Sequence, residues 1–410
     1  MLSRGQVMTE AVIVAATRSP IGRAQKGTMT ELRPDDLAAS MVRAACAQVP
    51  QLDPTAFDDL ILGCAQPAGE QGYNLARVVG LLADLPTVPG LTINRYCSSS
   101  LAAIRIAAHA IKAGEGDAFI AAGVECVSRF GIGRADGAPG SHNTLFAGAE
   151  SRTESRLLGD GGTWAPIAGL PDIYVAMGQT AENVAELENV SREDMDAFAA
   201  LSQQRAGASQ ENGFWAREIT PVTLPDGTVI DRDDCPRPST TAEKLADLKP
   251  VFRPDGKVTA GNACPLNDGA AAVIVMSDTR ARELGITPLA RIISSGVSAL
   301  DPEIMGLGPV AASRQALARA GMTIGDIDLV ELNEAFAAQV LPSARQLAIP
   351  EDKLNVHGGA IAVGHPFGMT GARIMTTLLN GLAATDGTIG LETMCVGGGQ
   401  GMAMIVERLR

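Results

Sequence analysis

Asn94-Arg95-Tyr96-Cys97-Ser98-Ser99-Ser100-Leu101 is the stretch from which the fold is read. The residues leading into it, Leu91–Arg95, have the composition of a short strand. Beyond it Leu101, Ile104, Ala108 and Ile111 fall on one helical face, and Gly114 is a suitable stop. Cys97 is thereby placed at a strand-to-helix junction. Unpaired N–H groups and the positive dipole end there favour thiolate over thiol, and the same groups can hold a developing oxyanion. The competing reading is a buried, inert cysteine, the commoner fate of the residue.

The same unit recurs outward along the chain. β-Branched runs at Ala11–Thr17, Asp59–Cys64, Asp117–Gly123, Ala271–Ser277, Ala290–Ala299 and Ile327–Leu332 alternate with alanine-rich helical stretches. The last residues read as a hairpin, Thr388–Met394 with Met402–Glu407. This predicts an α/β protein of packed layers with mainly parallel strands. Residues 116–123 echo residues 386–393, a hint of duplicated halves. Residues 126–250 differ: they hold both tryptophans and half of all aromatics, with helices expected through Met177 and after the capping box Ser191-x-x-Asp194. A piece this long is read as an inserted lid or ligand-loop subdomain rather than a loop.

Composition bounds the function. The 410 residues allow two to three domains, and Lys+Arg 33 against Asp+Glu 46 gives a net charge of −13. Such a field repels nucleic acid and anionic membranes, so an anionic ligand needs a local cationic patch. Aromatics at 3% are too few for extended base stacking. The seven cysteines are scattered without a C-x-x-C pair, which argues against disulfides and a zinc ribbon and for a reducing, cytoplasmic setting. No apolar run is long enough to span a membrane, the run through Met8 is not a secretory signal, and the terminal Arg-Leu-Arg is not a peroxisomal address. No metal or dinucleotide motif is present: the glycines after Cys395 precede a strand, not a helix.

Three further segments could carry chemistry. His365 lies on a glycine-rich turn and precedes Pro366, which suits a first helical turn; it could equally be a satisfied core histidine. Cys395 precedes Gly397-Gly398-Gly399. Asn333 and Glu334 follow an apolar strand and could simply cap the next helix.

Taken together these segments resemble the thiolase family over nearly the whole chain. Asn94 to Ser99 resembles its nucleophile motif, Asn333-Glu334-Ala335-Phe336 its asparagine motif, Gly364-His365-Pro366 its histidine motif and Cys395 to Gly399 its second-cysteine motif. Gly256 to Cys264, with Asn267 to Ala271, resembles the family's return from loop to sheet, and all five occur in the family's order. The resemblance implies a duplicated five-layer αβαβα core: residues 1–125 with 251–280 as one half, 126–250 as the CoA-binding insertion and 281–410 as the other half.

It also implies a chemistry, thiolytic cleavage of 3-ketoacyl-CoA in acyl-CoA degradation. Cys97 is the implied nucleophile, His365 its base and enolate partner, and Asn333 the holder of a water on the enolate oxygen. Cys395 is the implied general acid and base. The backbone N–H groups of Cys97 and Gly397 are the implied oxyanion hole. Coenzyme A is the implied cosubstrate, without a permanent cofactor or metal. Met177, Arg237, Phe252, Ala260 and Phe336 fall at CoA-contacting positions, and a homodimer or homotetramer is expected.

The sequence departs from the family pattern where Ser100 replaces glycine, Ala176 replaces histidine, Cys264 replaces serine and His357 replaces asparagine. His357 is thereby a second candidate polar group near the site. These departures favour longer or branched acyl chains over acetoacetyl-CoA. A biosynthetic acetyl-CoA acetyltransferase and a non-catalytic acyl-CoA-binding relative remain as alternatives; a decarboxylating condensing enzyme would have no use for Cys395.

Overall fold

The computed structural model describes residues 9–131, 139–159 and 162–409. The readings of the run through Met8 and of the terminal Arg410 fall outside the described residues.

In the first half, strands β1 (Ala11–Arg18), β2 (Asp59–Gly63), β3 (Gly90–Ile93), β4 (Ala118–Cys126) and β5 (Asn267–Ser277) carry helices α1 (Pro34–Ala47), α2 (Leu75–Leu82) and α3 (Ser99–Ala113). The insertion after β4 contributes α4 (Met177–Leu187) and α5 (Arg192–Glu211). The second half has β6 (Ala290–Ala299), α6 (Gly308–Ala320), β7 (Leu329–Leu332), α7 (Ala337–Leu347), α8 (Thr370–Thr385), β8 (Ile389–Val396) and β9 (Gln400–Arg408).

Alternation along the strands sorts side chains into layers. Ile13, Ile61, Phe119 and Val275 point inward to meet Leu101, Ile104 and Ile374, Leu378 of α3 and α8, with Met394, Met402 and Met404 from the other sheet. Their strand neighbours Val12, Leu60, Ile120 and Ile274 point outward beneath α1 and α2. On the far side Leu391 and Ile405 pack beneath Val310 of α6 and Val340 of α7. The result is five layers, αβαβα, with α3 and α8 between the sheets.

The first sheet runs β3-β2-β4-β5-β1 and the second β7-β8-β9-β6, with Leu354 bridged in parallel to Val330 on the open side of β7. Counting Leu354 as a third strand, both halves have the order third, second, fourth, fifth, first. The sheets touch at two residue pairs, Val12 with Arg291 and Ile13 with Ala290. The echo between residues 116–123 and 386–393 falls on the equivalent strands β4 and β8. Asp58 accepts the N–H groups of Asp117 and Ala118 at 2.7 and 3.0 Å. In the other half Asp328 accepts those of Thr388 and Ile389 at 2.7 and 2.8 Å.

The expectation of mainly parallel strands is corrected. Only β2–β3, β2–β4 and β7–β8 are parallel; β4–β5, β5–β1, β1–β6, β8–β9 and β9–β6 are antiparallel. The cause is the fifth strand of each half, which returns against the fourth, through a glycine hairpin in one half and after the insertion in the other.

Buried Arg18 of β1 fastens the insertion. Its guanidinium bonds Glu218 at 2.5 Å and Asp233 at 2.7 and 3.0 Å, and lies 5.3 Å from the Trp215 ring centroid. Ser191 accepts the Asp194 N–H at 3.0 Å and starts α5 as read from the sequence. Among the described residues no helix is long and apolar enough to cross a membrane.

Candidate active site

Cys97 sits in a single 3-10 turn, Tyr96–Ser98, between β3 and α3. Polar neighbours set this turn. Asn94 accepts the Tyr96 N–H at 2.7 Å and holds Tyr96 at φ +44°, a left-handed conformation a tyrosine rarely takes. Ser98 donates to Arg95 O, and Ser99 donates to Tyr96 O at 2.7 Å while accepting the Arg95 N–H at 2.9 Å. Ser98 and Ser99 are thus the braces of the Cys97 turn. Gly114 ends α3 in a left-handed conformation as expected.

The histidine segment meets this turn at α8. Ser100 accepts the Ala372 N–H at 2.9 Å, so a residue of α3 caps the first turn of α8. A Cβ on Gly371 would run into the backbone of Leu101, and one on Gly123 into the Gly368 carbonyl; these glycines permit the close approach. Pro366 does not open α8, which begins at Thr370; it precedes a separate 3-10 turn, Phe367–Met369.

His365 is buried, and its hydrogen bonds fix its tautomer. Thr370 has one hydroxyl proton and spends it on Pro366 O at 2.8 Å. Its oxygen therefore accepts from His365 Nδ1–H at 2.6 Å, which leaves Nε2 unprotonated and able to accept. Asn333 Nδ2 donates to that Nε2 at 3.3 Å. Asn267 Oδ1 accepts the His365 N–H at 2.9 Å and fixes the ring's backbone.

Asn333 follows β7 and hydrogen-bonds Thr393 O at 3.0 Å, while its buried Oδ1 takes no hydrogen bond among the described residues. Glu334 does not cap α7. It is buried, accepting from Ser202 at 2.6 Å, Asn355 Nδ2 at 2.9 Å and the Ile361 N–H at 3.1 Å, and so ties α5 to the histidine segment.

Cys395 is buried at the end of β8, before the Gly397–Gly399 turn. Gly399, at φ +73°, lies where a Cβ would strike Leu300 O. The Gly397 N–H lies near Cys97 and favours its thiolate, and both residues line one cavity. Burial nevertheless pushes the Cys97 thiol up to about 11, with Glu125 adding to it and the Gly397 N–H opposing. The sequence expectation of a favoured thiolate is therefore corrected for the free enzyme: desolvation outweighs the N–H groups. Burial also raises Cys395, and then the nearby Cys97 and Cys264 sulfurs. His365 is pushed down to about 3 by burial and by Arg373.

A cavity of about 510 Å³ opens onto Cys97. Phe130, Ile173, Val175, Met177 and Phe367 give it apolar walls, with Gln66, Ser141 and His142 as polar points. Of the residues read as CoA contacts, Met177 is in this cavity. Phe252 packs edge-on to Phe336 at 6.2 Å and covers Gly178, beside Met177. Ala260 is exposed on a turn just before the Ala263–Phe336 bridge. Arg237 is exposed, anchored through its backbone N–H on Gln203 Oε1 at 2.6 Å, and its guanidinium has no ion pair among the described residues.

His357 is not brought to the site. It stacks on Phe214 with ring centroids 3.5 Å apart and approaches Ser209, and burial lowers it to about 4.

Sequence reasoning missed three supports: Thr370, Asn267 and Glu125. Glu125 is buried and accepts from Gln71 Nε2 at 2.7 Å, the Ala65 N–H at 2.8 Å and the Gly368 N–H at 2.9 Å, which pins three loops around Cys97. Only Thr370 carried a readable signal, as a hydroxyl on the first turn after the histidine loop.

Residues 11–279 match the family described as "Thiolase, N-terminal domain" and residues 286–408 that described as "Thiolase, C-terminal domain". The chain is 44% identical to the 3-ketoacyl-CoA thiolase of Cronobacter sakazakii, over 98% of this chain and 100% of that protein. It is 47% identical, over the same shares, to the 3-oxoadipyl-CoA/3-oxo-5,6-dehydrosuberyl-CoA thiolase of Escherichia coli. The Bacillus anthracis acetyl-CoA acetyltransferase superposes with a TM-score of 0.85 at 38% identity, covering 99% of this chain and 100% of that one. The dimeric peroxisomal thiolase of Saccharomyces cerevisiae gives 0.87 at 35% identity, covering 99% of both.

Proposed function

The chain belongs to the thiolase family, a thiolytic acyltransferase of acyl-CoA degradation with coenzyme A as cosubstrate and no permanent cofactor, and we propose that it cleaves 3-ketoacyl-CoA through an acyl-Cys97 intermediate. The observation that carries this reading is the convergence of the three turns bearing Cys97, His365 and Cys395: Ser100 caps α8 behind His365, and Gly397 lies against Tyr96 beside Cys97.

Cys97 Sγ attacks the 3-keto carbon as its proton passes to His365 Nε2, the nitrogen that Thr370 leaves unprotonated. The thiol held up near 11 and the imidazole held down near 3 are both neutral at physiological pH. Proton transfer is therefore coupled to attack rather than completed beforehand. Cleavage expels the enolate of acetyl-CoA, stabilised at His365 and at a water held by the open Asn333 Oδ1. Cys395 protonates that enolate and then deprotonates incoming CoA, whose thiolate takes the acyl group and expels the Cys97 sulfur, which recovers its proton from His365. The N–H groups of Cys97 and Gly397 hold the acyl oxyanion.

Residues 126–250 serve as the CoA-holding insertion between halves 1–125 with 251–280 and 281–410. Met177, Phe252 and Phe336 form its apolar contact, Ala260 lies beside it, and Arg237 supplies the cation. The apolar walls of the cavity support acyl chains longer than acetyl. The assembly is a cytoplasmic homodimer or homotetramer. Comparison of kcat/KM for acetoacetyl-CoA, 3-oxoadipyl-CoA and a medium-chain 3-ketoacyl-CoA tests the substrate. The medium-chain compound is expected to be preferred; strong preference for acetoacetyl-CoA makes the chain a biosynthetic acetyltransferase instead.

A further inference from the structure

A second concavity, of about 340 Å³, lies between α3, β6 and the end of α6 and shares no lining residue with the Cys97 cavity. Four cationic or titratable side chains line it: Arg105, His109, Lys112 and Arg319. None makes an ion pair with a carboxylate among the described residues. In a chain of net charge −13 such an unneutralised cluster is unexpected.

Their anchoring is informative. Arg105 Nε donates to Ser295 Oγ at 3.1 Å, and neither terminal nitrogen has a partner among the described residues. Arg319 donates from one terminal nitrogen to Ser295 O at 2.6 Å, and the other has no partner among the described residues. Lys112 donates to Ile292 O at 3.3 Å. Guarding the open edge of β6 would account for the Lys112 and Arg319 bonds. It does not account for the free nitrogens of Arg105 or for His109. The groups also repel one another. Burial lowers Arg105, and then Arg95 and Arg319; burial lowers His109, and then Arg105, Lys112 and Arg319.

We propose that this concavity is a phosphate-class oxyanion site, in which the two anchored guanidinium groups, Lys112 and His109 together hold one multiply charged anion. Partly fixed guanidinium forks match a tetrahedral oxyanion better than mobile surface lysines do. Free inorganic phosphate and the phosphate of a larger metabolite share this chemistry.

The test is a phosphorus NMR titration of the full-length protein with inorganic phosphate, pyrophosphate and adenosine monophosphate at low ionic strength. The expected result is saturable binding at one site per chain, weakened about tenfold or more in an Arg105→Gln/Arg319→Gln variant with unchanged kcat. Preference for inorganic phosphate or pyrophosphate over the nucleotide identifies a free anion; the reverse identifies an organic phosphate. Equal binding by the variant, or displacement by chloride at matched ionic strength, overturns the proposal. So does a variant that loses its oligomeric state without losing phosphate, because the cluster is then a subunit contact.

Discussion

In the mechanism we propose, Cys97 and His365 exchange a proton, yet each is held in its neutral form when the site is free. Burial sets this on both sides, and the braces around them decide which atoms can react. Thr370 is the clearest case, because a single hydroxyl proton committed to Pro366 O forces His365 to present Nε2 as a base. Thr370→Val is expected to lower kcat on the order of 10²-fold with little change in KM, and Thr370→Ser to retain most activity. Steady-state kinetics on folded variants checks this; an active Thr370→Val enzyme removes the tautomer argument. The raised thiol gives a second expectation. Deprotonation of Cys97 lies near pH 11, so its alkylation by iodoacetamide should keep accelerating above pH 9. A plateau near neutrality would mean a thiolate already formed in the free enzyme.

At the scale of elements, β7 and β8 raise a question that the site does not. Glu331 and Glu392 lie opposite each other in this parallel pair, both buried, and both Glu392 oxygens lack a hydrogen-bond partner among the described residues. Burial raises Glu392 well above 4.5, with Glu331 adding and Arg373 opposing. The folded state therefore keeps a proton on Glu392 that the unfolded chain releases above about pH 4.5, so this residue costs stability as pH rises. Glu392→Gln should be more stable than the parent at pH 8, and the difference should vanish below pH 4. Denaturant unfolding at the two pH values checks it; no pH dependence of the difference contradicts the sign. The junction of α3 and α8 gives a simpler expectation. Ser100→Ala leaves the Ala372 N–H unpaired and should cost about 1 kcal/mol, seen as a lower unfolding midpoint.

The duplication organises the whole molecule. Cys97 and His365 precede α3 and α8, the equivalent middle helices of the two halves, so one architectural position supplies both the proposed nucleophile and its proposed base. The carboxylates of Asp58 and Asp328 clamp the equivalent strands β4 and β8 in the same way. Asp58→Ala and Asp328→Ala should each cost about 1–2 kcal/mol, and the costs should add in the double variant. Much of this was legible in the sequence. Strand positions followed from β-branched runs, and Cys97, Asn333, His365 and Cys395 from motifs that are local in the chain. Pairing direction was not, because β1 and β5 meet across some 250 residues and local patterns carry no sign of which end a returning strand enters. His357 was misplaced for the same reason: its place in the family pattern, where asparagine is usual, suggested the site, whereas Phe214, far off in sequence, captures its ring. The thiolate expectation failed because a dipole is visible in sequence and burial is not.

The central claim is the covalent one: Cys97 carries the acyl group between two half-reactions. Brief exposure to acetyl-CoA without acceptor, followed by intact-protein mass measurement, tests it most directly. One acetyl group per chain is predicted, absent in Cys97→Ala and retained in Cys395→Ala, which should acylate but turn over poorly. A well-folded protein that gains no acetyl group, or a Cys97→Ala variant that still gains one, would contradict the account.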